Sequence, residues 1–192
     1  MMKMIRSLRL LAIVLLLLAA NGSFAQLTKK QMKQVGKEAK VLVKEGWRPF
    51  PGTLSIELQV EKNYLMSMAS DGGMVPKYLM GDGRGINKDY TTAKTQAIVF
   101  AKQELAGQIQ TEVNSIFEQQ ISEKQINAEE AETKTNIKID IMSQVRQKLG
   151  QTISVMEIYR TIANGDVEVL VRLAYKREEL KDEIVNSLKG KL

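Results

Sequence analysis

The clearest pattern in the chain is a stripe of apolar residues that recurs every three or four positions between Tyr90 and Ile121. This spacing places side chains on one face of an α-helix. The stripe therefore predicts one long helix with a buried face made of Ala93, Ala97, Ala101, Leu105, Ile109, Val113 and Ile116. Because the first three members are alanines, we expect the first half of the helix to pack closely against a sheet or another helix.

A β-hairpin is predicted in the last third of the chain, beginning with the apolar and β-branched run Ile153–Ala163. Strict alternation follows, with Glu168 and Arg172 on one face and, on the other, Val167, Val169, Val171, Leu173 and Tyr175. The intervening residues 164–166 are Asn, Gly and Asp. Asn and Gly suit a tight turn because they tolerate positive φ angles. A final helix is predicted from Arg177.

The N-terminal half carries weaker patterns. Leu27–Glu45 predicts a lysine-rich helix, and Trp47–Gly52 predicts a turn-rich connector. Thr53–Ala69 fits either a strand or a helix, and its length without an internal Gly or Pro favours a helix. Later in the chain, Asn127–Leu149 keeps four-residue spacing and predicts a further helix.

A short strand is predicted at Pro76–Met80, followed by a flexible loop at Gly81–Gly85. The loop precedes a helix, as phosphate-binding loops do. It lacks the Gly-Lys-Ser/Thr of a P-loop and the third glycine of a dinucleotide site. The elements sum to an α+β fold: a small antiparallel sheet of about three strands packed against a long helix, with additional helices at both ends.

The first 25 residues resemble a Sec-type export signal. Three basic residues precede the 11-residue apolar run Leu10–Ala20, which is shorter than the roughly 20 residues that span a bilayer. Small residues at Ser23 and Ala25 predict cleavage before Gln26. We therefore expect residues 26–192 to form a single periplasmic or secreted domain, without a transmembrane segment and without a lipobox cysteine at position 26.

Composition narrows the chemistry that this domain can perform. The chain has no His and no Cys, which excludes a Ser-His-Asp triad, a Cys nucleophile and His- or Cys-ligated zinc. The formal charge of +6 falls to +3 once the three basic residues of the signal are removed, leaving 25 Lys and Arg against 22 Asp and Glu. So small a charge gives no reason to expect nucleic acid as a partner.

No catalytic residue, cofactor site or metal site is predicted. Glu129, Glu130 and Glu132 cluster where a helix N-terminus explains them. Candidate contact residues are Trp47 and Phe50, which form either a plug that docks the first helix or an exposed contact for a partner. The second candidate is the glycine loop, made of Gly81, Asp82, Gly83, Arg84 and Gly85.

The stretch Tyr78–Gly83, followed by the alanine-spaced helix and the hairpin Val155–Tyr175, resembles small bacterial envelope proteins of the Lpp-twenty lipoprotein type. Their fold is similar to the N-terminal domain of the flagellar protein FlgT. The stretch Ala101–Ile109 also resembles uncharacterised exported proteins of Bacteroides-type bacteria. The resemblance covers roughly residues 77–175 and implies an envelope location and an α+β fold, with no active site to carry over. The missing lipid-bearing Cys departs from the family.

The function expected from these observations is that of a non-catalytic envelope protein, a binding or assembly-support module for another envelope protein or glycan. Two alternatives stay open. One is a carboxylate-based hydrolase of envelope glycans. The other is a peripheral membrane protein that uses its basic first helix. The sequence leaves the biological process and the oligomeric state open.

Overall fold

The computed structural model describes residues 27–71, 74–121, 135–136, 138–143 and 149–189. The predicted signal segment, the acidic residues 129, 130 and 132, and most of the predicted helix Asn127–Leu149 lie outside these ranges. Residues 138–143 are described and helical, and Ile141 among them is fully buried.

Besides the helical residues 138–143, the described elements are four helices, six strands and a short 3₁₀ turn at Leu149–Gln151. The helices are α1 (Lys29–Lys44), α2 (Ile56–Met68), α3 (Tyr90–Ile121) and α4 (Arg177–Lys189). The strands are β1 (Arg48–Pro49), β2 (Ser70–Asp71), β3 (Val75–Pro76), β4 (Tyr78–Asn87), β5 (Ile153–Thr161) and β6 (Val167–Lys176).

The central sheet is antiparallel and has the strand order β1-β5-β6-β4. The hairpin of β5 and β6 turns at Gly165, whose φ of 86° explains the need for glycine there. Strand β4 pairs with β6 along its whole length, from Tyr78 opposite Lys176 to Asn87 opposite Val167. The predicted α+β fold, with a small antiparallel sheet against a long helix, is confirmed.

Helix α3 covers one face of the sheet and lies directly on β4. Its predicted stripe is buried as expected, with zero exposure at Ala93, Ala97, Ala101, Leu105, Ile109 and Val113. The prediction of a flexible loop at Gly81–Gly85 is wrong, because these residues form the middle of β4. The three glycines face α3, and a Cβ on Gly83 would lie 1.8 Å from the carbonyl oxygen of Ala97. The glycine run is therefore a contact surface for a helix backbone, not a turn.

Helices α1 and α2 cover part of the opposite face of the sheet. Their buried residues join those of β5 in a second core that includes Val35, Val60 and Ile158. Both N-termini are capped by side chains, with Thr28 in a capping box for α1 and Ser55 accepting from the Leu58 N–H for α2. The helix favoured for Thr53–Ala69 is thus present, and begins at Ile56.

The cover given by α1 and α2 ends partway across the sheet. Along β4, Tyr78 and Met80 pack against the second core, whereas Asp82, Arg84 and Ile86 are exposed. Among the described residues, no helix is long and apolar enough to cross a membrane.

Candidate functional site

Trp47 is a plug and not an exposed contact. Its side chain is 3% exposed and belongs to the core between α1, α2 and β5. The guanidinium of Arg160 lies over the indole ring, 4.5 Å from its centroid, in a cation–π contact. Of the two roles predicted for Trp47, the structure shows the docking one.

Phe50 lies on the opposite face of the sheet from Trp47. The two residues flank the two-residue strand β1, and side chains alternate between the two faces along a strand. The Phe50 ring stacks on that of Tyr90 with centroids 4.5 Å apart, and the Lys94 ammonium lies 5.1 Å from the Phe50 centroid. The Tyr90 hydroxyl and the Lys94 ammonium both donate to the Glu157 carboxylate, at 2.9 and 2.5 Å. Burial and the nearby Glu157 carboxylate raise the pKa of Tyr90. The structure therefore does not bring Phe50 and Trp47 together.

The polar members of the former glycine loop point away from α3, because side chains alternate along a strand. Asp82 and Arg84 lie on the exposed part of the sheet, on either side of the buried Gly83. They meet charged residues of β5 and β6 there. We call this set, Asp82, Arg84, Arg160, Glu168 and Arg172, the charged face.

Glu168 is the centre of the charged face. Its side chain is only 4% exposed, and it is held by Arg160 at 2.6 Å and by Arg84 at 3.1 Å. The strand register explains this arrangement, since Arg160 lies directly opposite Glu168 and Arg84 lies diagonally across from it. Because Arg160 also covers Trp47, the charged face is continuous with that plug.

Arg172 holds the other end of the charged face. Its guanidinium donates to both carboxylate oxygens of Asp82, each at 2.5 Å, and to the Oδ1 atom of Asn63 at 2.7 Å. Asp82 lies opposite Arg172 in the strand register. The hydrogen bonds that Arg172 donates to the Asp82 carboxylate raise the pKa of Arg172, so this side chain stays charged at every accessible pH. Both oxygens of the Asp82 carboxylate are thereby paired with the Arg172 guanidinium.

The arginines define what this arrangement can do. The Arg84 side chain is 58% exposed, and its ion pair to Glu168 at 3.1 Å involves one of its guanidinium nitrogens, so further donors face solvent. Arg84, Glu168 and Arg160 together carry one net positive charge. A guanidinium recognises carboxylates and phosphates through paired hydrogen bonds, so the face suits an anionic group. Within the described ranges, no three acidic side chains are grouped so that they could hold a metal ion.

Sequence reasoning placed Arg84 and Asp82 at the site but missed Arg160, and it did not connect Glu168 with either. The available signal was the pair of polar residues on one face of β6, Glu168 and Arg172. To interpret it, one has to know which residues of β4 lie opposite them. Compared with protein-family models, curated proteins and solved structures, the chain matches none of them. The resemblance to the Lpp-twenty type stays a prediction.

Proposed function

We propose that the protein is a non-catalytic, exported binding module of the cell envelope, and that its charged face holds another envelope component. The observation that carries the proposal is the buried Glu168 carboxylate between two arginines, beside the exposed row Asp82, Arg84 and Ile86. The predicted export signal supports the envelope location, and the absence of His and Cys supports the non-catalytic role.

Stability alone is a poor explanation for the charged face. A buried ion pair is often no better for stability than apolar residues of similar volume, because desolvation offsets the attraction between the charges. An antiparallel sheet face open to water needs only scattered polar residues. An array that presents an exposed guanidinium, positioned by a buried carboxylate, is better explained by recognition of an anionic partner group on a protein or a glycan.

A binding experiment with matched variants tests this function. The mature chain, residues 26–192, is immobilised and exposed to envelope extract from its own host cell, as wild type, as Arg84→Ala and as Lys40→Ala. Lys40 is an exposed basic residue of α1 and controls for the lost charge. We expect the wild type and Lys40→Ala to retain the same component and Arg84→Ala to lose it. Retention of nothing by the wild type contradicts the proposed function.

A further inference from the structure

Strand β4 is an edge of the central sheet, so half of its main-chain groups point away from β6. Side chains of α3 satisfy two of these groups. The Asp82 N–H donates to the Glu104 carboxylate at 2.6 Å, and the Gln108 amide donates to the Met80 carbonyl at 2.6 Å. Even-numbered residues of β4 therefore direct their N–H and C=O groups outward, since the direction alternates along a strand.

The next even-numbered residues, Arg84 and Ile86, leave the edge open. No hydrogen bond from elsewhere in the described ranges reaches their outward N–H and C=O groups. Four residues of α3 advance about as far as two residues of β4 in the opposite direction. The step from Glu104 beside Asp82 therefore brings Phe100 beside Arg84. Phe100 is 51% exposed and Ile86 is 47% exposed.

We infer that this open edge binds an extended peptide from a partner protein as an added β-strand. We call it the free edge, and it consists of Arg84 and Ile86. The inference rests on the proposed function and names the partner's chemistry. Main-chain hydrogen bonds to Arg84 and Ile86 supply the attachment. The peptide's side chains alternate between the two faces of the sheet, so acidic residues lie beside Arg84 and apolar residues lie beside Phe100.

A second copy of the chain does not fit this edge in antiparallel pairing. Antiparallel pairing of two β4 strands would place them about 4.8 Å apart, with both α3 helices on the same face. Each helix lies directly over its own β4, as the 1.8 Å approach at Gly83 requires. The helix axes would then be about 5 Å apart, whereas packed helices need about 8–10 Å. A peptide without a covering helix meets no such obstacle.

The test uses the mature chain and a synthetic octapeptide that alternates Glu and Val, blocked at both ends. Amide hydrogen exchange, followed by NMR, measures protection residue by residue. We expect the peptide to protect the Arg84 and Ile86 amides at least tenfold and to leave exposed amides of α1 unchanged. A peptide that alternates Lys and Val should bind at least about threefold more weakly, because it meets Arg84 with like charge.

Two variants of Ile86 separate the main chain from the side chain. Ile86→Pro removes one outward N–H without touching the ladder to β6, and proline is tolerated at such edge positions. Ile86→Ala keeps that N–H. We expect Ile86→Pro to weaken peptide binding roughly tenfold or more, and Ile86→Ala to weaken it less than about threefold.

Equal binding by Ile86→Pro and the wild type overturns the inference, as does a lack of protection at Arg84 and Ile86 at millimolar peptide. The same variants in the envelope-extract experiment distinguish the two proposals. A component that is lost by Arg84→Ala but fully retained by Ile86→Pro leaves the proposed function intact and rejects strand addition.

Discussion

Replacing Gly83 by alanine should separate the long helix from the sheet. A Cβ at this position would lie 1.8 Å from the Ala97 carbonyl oxygen and 2.5 Å from the Ala101 nitrogen. Both obstacles are main-chain atoms of α3, so no change of side-chain rotamer relieves them. Since real Cβ contacts stay above 3.0 Å, the helix has to retreat by about 1.2 Å.

Moving α3 away from β4 weakens the packing between them, and the size of the loss can be estimated. A gap of 0.5–1 Å already removes about a quarter to a half of the dispersion attraction between packed atoms. It would also loosen the neighbouring contacts of Gly81 and Gly85, at which a Cβ would lie 2.2 and 2.0 Å from carbonyl oxygens of α3. Overpacking in cores costs typically about 1–3 kcal/mol, and a rigid backbone obstacle belongs at the upper end. We therefore expect Gly83→Ala to lower the free energy of unfolding by about 3 kcal/mol or more.

Gly107→Ala is the matched control, since it is the same chemical change at an exposed position of α3, the helix that Gly83 faces. Gly107 is exposed, and a Cβ there meets nothing within 4 Å. Replacing an interior helix glycine by alanine should raise stability by about 0.5–1 kcal/mol. Urea unfolding followed by circular dichroism measures both variants. A Gly83→Ala variant within about 0.5 kcal/mol of the wild type would refute the reasoning about the close approach.

The remaining predictions concern charges and processing. Arg160→Ala removes a 2.6 Å partner of the buried Glu168 and should lower the free energy of unfolding, measured in urea, by about 2 kcal/mol. Arg84→Ala removes a side chain that is 58% exposed and should lower it by about 1 kcal/mol or less. Equal losses in the two variants would contradict this account. At the N-terminus of α3, the Thr92 N–H donates to the Asp89 carboxylate at 2.8 Å and lowers the pKa of Asp89. The charged carboxylate therefore stabilises the fold above the pKa that Asp89 has in the unfolded chain, and this stabilisation is lost as the pH falls through the lower pKa of the folded state. The urea midpoint of the wild type should accordingly fall more than that of Asp89→Asn between about pH 6 and about pH 2, and parallel falls would show that the charge contributes nothing. Exported protein should begin at Gln26 by mass spectrometry, and a chain that keeps its first 25 residues would contradict the predicted cleavage.

Local patterns were sufficient to predict the elements that build the core. The stripe from Ala93 to Val113 and the hairpin around Gly165 both depend on spacing within one segment, and both are present. The α1 helix is also present, with ends close to those predicted.

The errors arose where distant partners decide the structure. Glycine normally disfavours strands, so Gly81–Gly85 reads as a loop until the alanines of α3 are placed against it. Likewise, β1 is a two-residue strand that exists only because Arg48 and Pro49 pair with Tyr159 and Ile158. No local pattern in residues 47–52 could show this pairing.

The charged face was only half predictable for the same reason. Asp82 and Arg84 were singled out as neighbours in sequence, but Arg160 and Glu168 join them through the register of three strands. Burial also decided between the two roles predicted for Trp47, since an aromatic residue beside a turn can face either way and Trp47 faces the core.

Photo-crosslinking from the free edge tests the central claim most directly. A benzoylphenylalanine is introduced at Ile86 or, as the control, at Lys40 in the full chain produced in its own host. Irradiation of intact cells should yield a discrete adduct with an envelope protein from position 86 and none from position 40. No adduct from position 86, or the same adducts from both positions, would contradict the account.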